Sequence, residues 1–141
     1  MQRFKRNSLR AATMVGVAAT CAVLGVGQAF AGTDVTVKSR VQLANGQSQL
    51  VATGIFLHDG DDWQICDNSA DGDRAVIAVS WHTPDGDLRT STTSNTGGAG
   101  TCVTAGYGVD IAEGQEVVVQ VWHQDGADGM PQDIARGIGY A

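Results

Sequence analysis

Residues 34–44 read DVTVKSRVQLA. Val35, Val37, Val41 and Leu43 fall on one side of an extended chain, and only Ser39 interrupts the series. Thr36, Lys38, Arg40 and Gln42 fall on the other side. A period of two with one wet face is the pattern of a β-strand lying over a core. Asn45-Gly46 follows at once, a pair that favours a tight type I′ turn into a second strand around Gln49–Leu57.

The same alternation continues downstream. A short strand is expected at Trp63–Cys66, then a loop over Asp67–Asp73. In Arg74–His82, Ala75, Ile77, Val79 and Trp81 alternate with Arg74, Val76, Ala78, Ser80 and His82, so Trp81 is assigned to the core. Thr83-Pro84-Asp85-Gly86 is a turn with proline in a favoured second place, returning through Leu88–Ser94. Asn95–Gly100 reads as a loop leading to Cys102, and Glu116–His123 and Asp133–Tyr140 read as the last strands. Asp-Gly and related turn pairs recur between these runs, and no stretch holds a helical period. The expected fold is a single immunoglobulin-like antiparallel β-sandwich of about eight short strands over residues 32–141.

Val79-Ser80-Trp81-His82 and Gln120-Val121-Trp122-His123 look like a repeat, but their phases differ. Trp81 shares a face with Ile77 and Val79, whereas Trp122 shares one with Glu116, Val118 and Gln120. Trp122 is therefore placed on the outer face.

The first 31 residues have the parts of a cleavable export signal. Arg3, Lys5, Arg6 and Arg10 form a positive start, Ala11–Gly27 is small and apolar, and Ala29-Phe30-Ala31 supplies a small-x-small cleavage pattern. A rival reading makes Cys21 a lipidated cysteine, but Thr20 directly before it fits a lipobox badly. The expected product is a secreted, extracellular chain beginning at Gly32, with no membrane attachment after cleavage. All 15 acidic residues lie beyond Gly32, against five basic ones (Lys38, Arg40, Arg74, Arg89 and Arg136), a formal charge of 5 − 15 = −10. That field repels phosphate backbones and anionic lipid surfaces, so neither nucleic acid nor membrane is an expected partner.

Cys66 and Cys102 are the only cysteines beyond the signal, and two cysteines allow one pairing, expected to be oxidised outside the cytoplasm. Asp67, Ser69, Asp71 and Gly72 match the opening of a calcium-binding EF-hand loop, but Ala78 stands where the bidentate glutamate belongs. A looser calcium site joining Asp67, Asp71 and Asp73 to Asp61 is the weak candidate that remains. His58, His82 and His123 each lie near a strand end without zinc-motif spacing, and are expected as surface histidines. No Gly-x-Ser-x-Gly, His-Glu-x-x-His or phosphate-cradling glycine loop occurs, so neither enzymatic activity nor a cofactor is expected. The candidate binding surface is Trp122, Trp63, Met130 and His82. Trp122 has a competing structural role, covering the small residues Ala135, Gly137 and Gly139.

Trp63-Gln64-Ile65-Cys66-Asp67, Ala70-Asp71-Gly72 and Gly98-Ala99-Gly100-Thr101-Cys102 resemble a pattern of small secreted, disulfide-bonded β-domain proteins of actinobacteria. The resemblance covers the middle third of the chain; one cysteine pair and a longer leading hairpin depart from it. It implies a β domain and an extracellular compartment, and no catalytic residue. Some proteins of this kind are non-catalytic subunits of larger extracellular assemblies, including antibacterial toxin particles.

The leading functional expectation is a secreted protein-interaction module with an extracellular protein partner. Residues 34–44 are a candidate for strand addition, unless Lys38 and Arg40 guard that edge. A carbohydrate or cell-wall binding module using Trp122 and Trp63 is the alternative. A small protease inhibitor presenting Asp125–Gln132 is a third. Expression in a secreting bacterial host is expected to yield a chain starting at Gly32, read by amino-terminal sequencing of the supernatant protein.

Overall fold

The computed structural model describes residues 31–141. The export segment and Cys21 lie outside the described residues, Ala31 excepted. Eight strands follow in order: β1 (Val35–Gln42), β2 (Ser48–Leu57), β3 (Asp62–Asp67), β4 (Arg74–His82), β5 (Leu88–Asn95), β6 (Cys102–Ala105), β7 (Glu116–Gln124) and β8 (Gln132–Tyr140). They form two antiparallel sheets, β1-β2-β3-β6 and β5-β4-β7-β8, packed as a β-sandwich. Among the described residues no helix is long and apolar enough to cross a membrane.

Alternation builds the core. On β7, Val117, Val119 and Val121 point inward and are fully buried, joined by Ala75, Ile77 and Val79 of β4. Phe56, Trp63 and Ile65 answer from the other sheet. Each large apolar side chain removed from water contributes about 1.5–3 kcal/mol before entropy is counted. Trp81 lies on the core side but at its margin, half-buried, with its ring centroid 6.4 Å from that of Trp63. The sheets approach closely at Gly54, where an added Cβ would overlap Val121 Cγ2 and come within 3.0 Å of Ile77 Cδ1.

Three local features differ from the sequence reading. The first hairpin is not type I′, which needs positive φ at both central residues. Gly46 N–H donates to Leu43 O (2.9 Å), Leu43 N–H donates to Gln47 O (2.8 Å), and only Gly46 has positive φ (81°). The loop is thus a three-residue turn over Ala44-Asn45-Gly46, and Pro84-Asp85-Gly86 repeats the same pair of bonds. Second, Ser39 is not an interruption but a satisfied inward residue, fully buried, its Oγ donating to Asp133 O at 2.6 Å. Third, Cys102–Ala105 is a strand of its own.

Two bulges shift the pattern. Ser39 pairs with Ala52 and Arg40 with Leu50, so Val51 is an extra residue on β2, and Val51 and Ala52 are buried in succession. Val121 pairs with Ala135 and His123 with Gln132, so β8 also carries an extra residue, at the turn marked by Asp133 with φ 50°.

Cys66 and Cys102 are bridged as directly opposed partners on β3 and β6. The bridge joins neighbours within one sheet and lies on its outer face, Cys66 half-buried and Cys102 exposed. On the chain-entropy model such a loop closure stabilises the fold by roughly 3–4 kcal/mol.

Gly54→Ala should cost about 1–3 kcal/mol by overpacking the contact between sheets, read as a lower urea midpoint with an unchanged slope.

Candidate functional site

The outer face of the β5-β4-β7-β8 sheet is the first candidate. With Val117, Val119 and Val121 inward, β7 turns Glu116, Val118, Gln120 and Trp122 outward. The register sets Val76 across from Trp122 on one side, and Arg136, Ile138 and Tyr140 across from Gln120, Val118 and Glu116 on the other. Ile134 is 57%, Ile138 48% and Tyr140 43% exposed, yet Val76 and Ala78 beneath their neighbours are buried. Trp122 is half-buried and its indole N–H donates to Gln124 Oε1 at 2.7 Å. The role proposed for it over strand glycines is corrected: Gly137 and Gly139 pair with Val119 and Val117 on the inward side, against Val35 and Val37. Trp122 stands across from the buried Val76 rather than over those glycines.

Trp63 is not a surface residue. It is 1% exposed in the core, where its indole N–H donates to Thr93 Oγ1 at 3.0 Å. The alternation Trp63-Gln64-Ile65-Cys66 carried that signal, since Ile65 and Trp63 share a phase. His82 is exposed at the end of β4, paired with Leu88. Met130 is 83% exposed in the β7–β8 loop, whose start is braced by Gln124 Nε2 donating to Gly126 O and Ala127 O. Strand β1 is an edge of its sheet, with Lys38 and Arg40 exposed, and Thr33 just before it exchanges backbone hydrogen bonds with Tyr140.

The calcium candidates do not meet. Asp61 and Asp67 stand at opposite ends of β3, roughly 20 Å of extended chain apart. Asp67 is buried and its Oδ1 accepts the Ser69 N–H. Asp61 Oδ2 accepts the Ile111 N–H at 2.7 Å, and so anchors the loop that places Ile111 in the core. Asp71 and Asp73 are brought together, but with a histidine.

His123 was expected at the surface; it is 8% exposed. Its burial follows from the phase that puts Trp122 outside, because the next residue on β7 must turn inward. His123 Nε2 lies 3.0 Å from Asp133 Oδ2 in hydrogen-bond geometry. Nδ1 faces the β3–β4 loop, 2.9 Å from Asp73 Oδ2 and 3.8 Å from Asp71 Oδ2. The 2.9 Å contact is off the ring N–H direction, so Nδ1 is a buried nitrogen with no hydrogen-bond partner. Asp71 Oδ1 is taken by the Asp73 N–H (2.9 Å), which leaves Oδ2 turned to the histidine. An open depression beside the cluster is lined by Gln49, Val51 and Ser69. His58, by contrast, is a loop residue paired with Asp34 at 2.7 Å.

No protein-family model matches the chain, and no curated protein or solved structure matches it.

Burial pushes the Asp61 carboxyl above its ordinary value of 3.8; the Ile111 N–H works against this, and Asp110, Glu113 and Asp62 add repulsion. The folded state therefore holds the Asp61 proton more tightly than the unfolded chain does. Stability falls as pH rises from the ordinary value through the raised one, then levels off. Asp61→Asn keeps an acceptor for Ile111 and suits φ 55°. It should melt higher than wild type at neutral pH and converge with it in acid. Asp61→Ala should cost about 1–3 kcal/mol by orphaning the Ile111 N–H.

Proposed function

We propose that this chain is a secreted, non-catalytic protein-interaction module that docks an extracellular protein through the outer face of the β5-β4-β7-β8 sheet. One observation carries the reading. In a domain with 15 acidic residues, the outward positions of these four strands include a single carboxylate, Glu116, while Ile134, Ile138, Tyr140 and Leu88 are exposed on the same face as Trp122. Interface centres are depleted of Asp, Glu and Lys and enriched in aromatic residues and Arg, and Arg136 lies on this face across from Gln120, midway along the edge strand β8. The acidic residues collect in the turns, where they keep the rest of the surface soluble.

The secreted part of the proposal rests on the export pattern of residues 1–31 and on the Cys66–Cys102 bridge, which suits an oxidising compartment. The non-catalytic part rests on the motifs of the sequence. A subunit of a larger extracellular assembly is the form this reading takes. A sugar platform is the weaker class, because Trp63, one of the two tryptophans it needs, is in the core.

The test is size exclusion of culture supernatant with mass spectrometry on each fraction, for wild type and Ile138→Asp. Co-elution with a defined companion in wild type, weakened about thirtyfold or more by Ile138→Asp, is the expected result. Elution as a lone monomer together with Trp122-dependent sedimentation on polysaccharide would replace it with the sugar-binding reading.

A further inference from the structure

We propose that Asp71, Asp73 and Nδ1 of His123 bind one divalent transition-metal ion of the zinc class, with Asp133 as the positioning residue behind the imidazole. The first ground is the unpartnered nitrogen. His123 is more than nine-tenths buried, its Nδ1 has no hydrogen-bond partner, and that atom is aimed at two carboxylates. With Asp133 Oδ2 3.0 Å from Nε2 as an acceptor, a neutral ring would carry its proton on Nε2 and turn the Nδ1 lone pair to Asp71 and Asp73. A lone pair and two carboxylate oxygens repel one another beside the buried ring. A cation between them converts all three contacts into attractions.

The distances fit a shared ion. With metal–ligand bonds of about 2.0–2.1 Å, the edge of a tetrahedron is about 3.3 Å. The observed edges to Nδ1, 2.9 Å and 3.8 Å, fall either side of that value, and one atom from each of the three residues lies within 4.8 Å of the others. An oxygen at 2.9 Å that misses the N–H axis is placed as a neighbouring ligand would be, not as a hydrogen-bond acceptor. A histidine whose second nitrogen is held by a carboxylate is also the usual arrangement behind a metal.

The donor set selects the metal. Calcium and magnesium take oxygen ligands, whereas an imidazole nitrogen beside carboxylates suits zinc and its neighbours. Three protein ligands leave a fourth position open toward the depression lined by Gln49, Val51 and Ser69. The ion would tie the β3–β4 loop to β7, and through Asp133 and Ser39 to β8 and β1.

The experiment uses the disulfide-bonded chain, stripped with chelator and dialysed against zinc or calcium. Elemental analysis should return one zinc per chain and no calcium. Zinc should raise the melting temperature and shift the ¹⁵N resonance of His123 Nδ1, leaving Nε2 little changed. Asp71→Asn, an exposed change that should leave the fold intact, should weaken zinc binding at least tenfold. Asp133→Asn should weaken it about ten- to hundredfold. If zinc leaves melting and Nδ1 unchanged and both ring nitrogens carry protons, the cluster is a buried imidazolium held by Asp73 and Asp133, and the proposal fails. Calcium binding in preference to zinc, or zinc binding unaffected in Asp71→Asn, would overturn it equally.

Discussion

Between the two sheets, Val121 packs against the bare backbone of Gly54 and leaves no room for a Cβ. It locks the phase of β7. With Val121 held inward there, a slip of one residue would put Trp122 against Gly54, where there is no room. Every functional assignment in the molecule hangs on that phase. Trp122 is forced out onto the sheet face, and His123 is forced in, where a polar ring must find partners. The buried valines on either side make the arrangement rigid, so the partners come to the histidine and not the reverse.

Much of this was legible from residue order. Alternation located seven of the eight strands and put Trp81 and Trp122 on opposite sides, because a pleated chain leaves no other choice. Cys102–Ala105 escaped because four residues ending in Thr-Ala carry too little pattern; only pairing with β3 makes them a strand. Trp63 was misplaced through its residue type, since an indole suggests a contact surface while its phase relative to Ile65 says core. His123 was misplaced in the opposite way: a histidine beside a turn reads as wet. Its cluster was invisible to spacing, because His123 lies 50 positions beyond Asp73 (123 − 73 = 50) and the remaining carboxylate is delivered by a bulge.

That bulge concentrates three demands on one residue. Asp133 adopts φ 50°, a region that a non-glycine residue enters at a cost, and Asp is among those that tolerate it best. In return its carboxylate meets His123 and its carbonyl receives the buried Ser39 hydroxyl from the opposite sheet. The next residue, Ile134, is swung onto the outer face beside Trp122. The apolar face and the carboxylate–histidine cluster are thus back to back across one strand. A change in either would be felt by the other through two adjacent peptide units.

The position of the disulfide has a consequence of another kind. A bridge buried between sheets can be reduced only after the domain opens, because an attacking thiolate must reach a sulfur atom. Here Cys102 is exposed on the outside of a sheet edge, away from the core valines. Reductant can therefore reach the cross-link while the sandwich is still folded. Loss of the bond would precede unfolding and leave a chain held by its core alone.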